Sequence, residues 1–149
     1  MALVERIEER IVKVPLESAT RDGVIDELVG VLAAAGLIAD REAARAAVME
    51  REAKGSTGLA EGIAVPHGKT PAVKDLAIAI GVSREGVDFG AMDGLPSRLF
   101  FLIMAPPDKA GPHIEALAEI ARMARSKAFC RALVGAGDAR EVVELLRGD

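Results

Sequence analysis

The chain has 149 residues, half of them apolar, which suits a single domain over residues 1–149 with a substantial core. A net charge of −4 and a pI near 5.3 argue against a nucleic-acid partner, which calls for a basic patch or stripe. Trp and Tyr are absent and Phe occurs four times, so stacking platforms for sugars or unpaired bases are nearly missing.

The first ten residues, Met1 to Arg10, are acidic and interrupted by charge, unlike the basic start and apolar run of a signal peptide. Ile11 to Leu16 has a short strand pattern. Ser18 and Thr20 then offer caps for a helix whose apolar positions are Val24, Ile25, Leu28, Val29 and Leu32, with Gly36 as its stop. Asp40 is a plausible cap for the next helix, whose apolar face carries Ala43, Ala44, Ala47 and Val48 and which Gly55 ends.

Gly55 to Gly62 reads as a loop, and Ile63 to Val65 as an apolar stretch leading to Pro66 and His67. Leu76 to Val82 has strand length, and Phe89 and Leu99 flank a turn at Asp93-Gly94. Leu99 to Met104 reads as a central strand closed by Pro106-Pro107. After Pro112, the stripe Ile114, Leu117, Ala118, Ala121 and Ala124 predicts a helix, and two short helices follow over Phe129–Val134 and Val142–Leu146.

Strands alternate with helices without a strict βαβ repeat. The pattern predicts a three-layer α/β domain, a mixed sheet with helices on both faces. No run approaches the ~20 apolar residues that span a bilayer. The single cysteine, Cys130, fits a reducing compartment, and its helical pattern reads as a small core residue. A cytoplasmic protein with no direct membrane insertion is expected.

Three polar residues stand out. Arg51 falls in the middle of the Ala44, Ala47, Val48 stripe, at the end of its helix, so its guanidinium must find an anion. A structural ion pair, for instance with Asp93, is one reading; a planar fork aimed at phosphate is the other. His67 follows Pro66 and precedes Gly68, a small neighbour that leaves room for a bulky reactant. A loop histidine is often only an exposed polar residue, but neutral imidazole is also a good nucleophile near pH 7. His113 follows Gly111-Pro112 in the first turn of a helix and projects beside the apolar stripe, away from a Glu115–Glu119 face. There the helix dipole favours a neutral ring that can still donate one hydrogen bond. The plainer reading is a helix-start histidine with no task.

No metal and no cofactor are expected: His-x-x-x-His and Cys-x-x-Cys spacings are missing, and the glycines at 55, 58 and 62 do not make a Walker loop.

Arg51-Glu52, then Gly55-Ser56-Thr57-Gly58, then Gly62-Ile63-Ala64-Val65-Pro66-His67-Gly68 resembles the active-site block of the enzyme IIA family, of the fructose, mannitol and nitrogen-regulatory type, from the bacterial sugar phosphotransferase system. The resemblance continues through Asp93-Gly94, Pro106, His113 and Glu115 to Ile120, and covers roughly Val14 to Leu146. Ile114 stands where the family often has leucine, and Gly111-Pro112 stiffens the approach to His113.

The resemblance implies a mixed sheet of about five strands between helices. It also implies a phosphotransferase in which His67 takes a phosphoryl group from the phosphocarrier protein HPr and passes it to a IIB domain. His113 and Arg51 would steady the phosphoryl oxygens. An apolar docking rim is expected, with Met92, Leu95 and Phe89 as candidate members. Two roles stay open: phosphoryl relay toward a fructose- or mannitol-like sugar, or a regulatory switch whose phosphorylation alters binding to other proteins.

Overall fold

The computed structural model describes residues 3–148. Two short 3-10 turns, Val4–Arg6 and Glu9–Ile11, lead into β1 (Val12–Lys13), α1 (Arg21–Ala34) and α2 (Arg41–Ala53). Then follow β2 (Ile63–Ala64), β3 (His67–Lys69), β4 (Ala77–Val87), β5 (Ser97–Ala105), α3 (Ala110–Met123), α4 (Lys127–Val134) and α5 (Ala139–Arg147).

The five strands form one mixed sheet in the order β1-β4-β5-β2, with β3 also paired to β5. β4 and β5 run antiparallel; β1 pairs parallel with β4, and β2 and β3 pair parallel with β5. Ile63 pairs with Leu99 and His67 with Ile103, so β2 and β3 follow one another along the same edge of β5. Pro66 interrupts them because it has no N–H for the ladder, yet its carbonyl still accepts from Ile103 N at 3.0 Å. α1 and α2 pack together against the sheet, α4 and α5 pack together on its opposite face, and α3 meets β5. This is the expected three-layer α/β arrangement.

Local chemistry accounts for the helix starts. Thr20 Oγ1 accepts from Gly23 N at 3.1 Å, and Asp40 Oδ1 from Ala43 N at 3.1 Å. Each cap satisfies a donor that the first turn leaves open, worth about 1 kcal/mol. Val24, Ile25, Leu28, Val29 and Leu32 are fully buried, and so is every residue from Leu99 to Ala105 of β5. That strand is buried on both faces and so reads as a continuous apolar run.

Three expectations need correction. The Ile11–Leu16 strand shrinks to Val12–Lys13, because Ile11 closes a 3-10 turn and Pro15 has no N–H to continue the ladder. β4 runs on past Val82 to Val87, with a register irregularity between them. The largest change is in α3. Its buried face is His113, Ala116, Glu119 and Ile120, while Ile114, Ala118 and Ala121 are exposed. Glu119 is not on a solvated face: its carboxyl is buried and accepts from Leu3 N at 3.0 Å.

Candidate functional site

His67 opens β3 and is therefore a strand residue rather than a loop residue. Its neighbour Gly68 is buried against α2. A Cβ there would lie 3.1 Å from Ala47 C and from Val48 N, atoms of a helix backbone that cannot easily give way. Gly68 thus serves the close approach of β3 to α2, not the access of a reactant to the ring. Because side chains alternate along a strand, His67 turns to the other face, where α3 supplies His113. The two imidazoles meet edge to face, centroids 5.3 Å apart and planes at 76°.

The two ring nitrogens of His67 are in different environments. Nδ1 lies 2.8 Å from the carbonyl oxygen of Val65. A carbonyl oxygen only accepts, so Nδ1 carries the proton and Nε2 keeps its lone pair.

His113 is 4% exposed. Burial pushes its pKa down to about 4, and the proximity of His67 and Lys69 adds to the effect. The ring is neutral near pH 7, as expected, but desolvation rather than a helix dipole is the leading cause. Its Nδ1 is buried and has no hydrogen-bond partner among the described residues. An orphaned N–H is rarer inside proteins than an orphaned acceptor. Nδ1 is therefore the bare nitrogen, and Nε2 carries the N–H.

Arg51 sits in the last turn of α2, half-buried. Its Nη1 donates to the carbonyl of Gly55 at 2.8 Å, and among the described residues it forms no ion pair. The suggested pairing with Asp93 does not occur. The Asp93 carboxylate instead accepts from Glu61 N at 3.2 Å and Leu95 N at 3.1 Å. One bond to a carbonyl leaves most of the guanidinium fork available.

Arg51, His67 and His113 line one open cleft of about 460 Å³, together with Lys54 and Lys69. Three fixed cations against one carboxyl group, Glu50, make this cleft suited to an anion with several oxygens. The two lysines escaped the sequence reading, although spacing could have found them. Lys54 lies three residues after Arg51, at the C-cap of its helix, and Lys69 two residues after His67 on the strand.

Of the expected docking rim, Phe89 is 1% exposed and belongs to the core, where it packs on Phe100. Met92 and Leu95 stand exposed on the turn between β4 and β5, and Met92 N reaches Gly58 O at 3.3 Å. Ile114 is 64% exposed beside His113 and lines the cleft. Among the described residues, no helix is long and apolar enough to cross a membrane.

The chain is similar to proteins of known kind. It is 36% identical over 146 residues to the PTS system fructose-specific EIIABC component of Bacillus subtilis, covering 98% of this chain and 23% of that protein's length. Its fold superposes on nitrogen regulatory protein IIA-Ntr of Neisseria meningitidis with a TM-score of 0.85 and 28% identity, over 98% of this chain and 99% of that one. It also matches enzyme IIAMTL of Escherichia coli, solved in complex with phosphorylated enzyme IIBMTL, with a TM-score of 0.81 and 25% identity over 96% and 98% of the two chains. The family model of the phosphoenolpyruvate-dependent sugar phosphotransferase system, EIIA 2, matches residues 5–148, and the chain belongs to that family.

Proposed function

We propose that the protein is a phosphoryl carrier and that Nε2 of His67 is its nucleophile. One observation carries this reading: Nδ1 is tied to the Val65 carbonyl, so the lone pair of Nε2 is free beside a cleft lined by cations. The donor would be the phosphocarrier protein HPr, phosphorylated on its own histidine. Nε2 attacks phosphorus in line, a new N–P bond forms as the bond to the HPr histidine breaks, and that histidine recovers its electron pair. The fork of Arg51 and the Nε2–H of His113 bind the three phosphoryl oxygens as charge spreads over them. A IIB domain then takes the phosphoryl group, usually on a cysteine. Met92, Leu95 and Ile114 offer apolar surface for docking. The reaction runs in the cytoplasm and needs no metal or cofactor of the protein's own.

Two roles share this chemistry. Likeness to a fructose-specific component supports phosphoryl relay for sugar uptake as the leading role. Full-length likeness to a nitrogen regulatory protein supports the alternative, a switch whose phosphorylation state controls protein binding. Incubation with phosphoenolpyruvate, enzyme I and HPr is expected to give acid-labile phosphate on the wild type and none on His67→Ala. Unchanged labelling of that variant would sink the assignment. Pull-downs with the phosphorylated and unphosphorylated protein separate the roles: capture of a IIB protein supports relay, and capture of other proteins by one form alone supports the switch.

A further inference from the structure

Glu52 follows Arg51 in α2, but a helix turns about 100° per residue, so the two side chains part company. Arg51 reaches the cleft; Glu52 is buried, 3% exposed, and among the described residues it forms no ion pair. A buried carboxyl group is costly unless donors meet it. Here Thr57, itself 4% exposed, supplies them all. Its N–H lies 3.3 Å from each carboxyl oxygen, and its hydroxyl donates to Oε1.

Thr57 is held on its other side as well. Its carbonyl accepts from Val65 N at 3.1 Å, and the carbonyl of Val65 in turn accepts from His67 Nδ1–H at 2.8 Å. Between Thr57 and Val65 the chain folds back on itself, with Leu59 N on Ile63 O at 2.7 Å and a bridge between Gly58 and Ala64. The tip of this turn puts Glu61 at φ 63°, a conformation that residues with a side chain rarely adopt. The Glu52–Thr57 contact lies at the base of this turn.

We propose that Glu52 and Thr57 are positioning residues for the transfer reaction. Their buried clamp fixes the Val65 carbonyl, which keeps the proton of His67 on Nδ1 and the lone pair on Nε2. The clamp touches neither the phosphoryl group nor the ring. It acts by setting the position of one acceptor. The role rests on the reading that His67 is the phosphorylated residue. Its first consequence, however, is a property of the unphosphorylated ring.

The test uses protein labelled with ¹⁵N-histidine. Two histidines give two pairs of ring nitrogens, so each is followed separately. In the wild type, His67 Nδ1 is expected in the protonated state and Nε2 in the bare state. Thr57→Val keeps the side-chain shape and removes the hydroxyl. It is expected to move the His67 signals toward a mixture of tautomers and to slow acceptance from phospho-HPr about tenfold, as misplacing an outer partner of a reacting histidine does. Thr57→Ser restores the hydroxyl and is expected to recover both. A wild-type ring protonated on Nε2 would overturn the proposal, whether or not any variant folds. So would slow transfer by Thr57→Val with an unchanged tautomer, which marks a merely structural residue. Failure of the function itself reads differently, as phosphate retained on His67→Ala.

Discussion

The two histidines touch, yet the fold treats them in opposite ways. His67 is half-exposed at the open edge of the sheet, and a backbone carbonyl accepts a hydrogen bond from its Nδ1–H. His113 is buried on a helix, with its Nδ1 meeting no partner among the described residues. The difference suits the two jobs proposed for them. A nucleophile needs a free lone pair facing the cleft. A ring that steadies phosphate needs a free N–H there, and a neutral state that does not compete for the incoming charge. Side-chain identity alone does not divide these tasks; the hydrogen bond on the far nitrogen does.

The contrast predicts graded losses. In the proposed mechanism Arg51 acts with both rings, so Arg51→Ala is expected to slow phosphoryl acceptance by roughly 10²-fold, the usual cost of removing one preorganised donor. Arg51→Lys recovers only part of the rate, because an ammonium lacks the planar fork. Stopped-flow transfer from phospho-HPr measures both.

The buried state of His113 has a pH signature. Its folded pKa of about 4 lies below the unfolded value of 6.5. Between those values the unfolded chain binds the extra proton and the folded chain does not. Stability therefore rises with pH across that window and is lost as pH falls through it, by at most about 3 kcal/mol. Urea unfolding at pH 7 and at pH 4.5 checks this. His113→Gln should lose less stability between the two pH values than the wild type, and an equal loss would mean that the ring is not held neutral by burial.

Gly68 sets the position of His67 from the opposite face. Gly68→Ala presses a methyl group into the backbone of α2 and is expected to cost about 1–3 kcal/mol. Because β3 must move, transfer should slow as well, whereas a substitution at the exposed Ala121 should change neither.

The smallest effect separates the rings most finely. His113→Ala is expected to lower onward transfer to IIB roughly tenfold, the worth of one hydrogen bond to a charged group, with a lesser effect on acceptance. Equal onward transfer by variant and wild type would remove His113 from the site.

Much of the fold was legible wherever one local rule governed. Thr20 and Asp40 cap their helices, and β5 is the continuous apolar run of a strand buried on both faces. Arg51, His67 and His113 share a cleft, although the sequence could only place each on its own element. What stayed hidden came from tertiary packing. α3 buries His113 and Glu119 and exposes Ile114, so its apolar stripe pointed to the wrong face. His113 packs edge to face on His67, and Glu119 accepts from Leu3 N. The place of Gly68 against α2 could not be read either, since the contact joins two elements across the loop between them. Glu52 entered only as part of the Arg51-Glu52 block, and nothing local told that it lies buried beneath the site loop.

The central claim is that the phosphoryl group rides on Nε2 of His67. The most direct measurement is ¹⁵N–³¹P coupling in the phosphorylated, ¹⁵N-histidine-labelled protein. The expected result is one phosphorus coupled to Nε2 of His67, with Nδ1 still protonated toward Val65. Coupling to Nδ1 of His67, or to either nitrogen of His113, would contradict it.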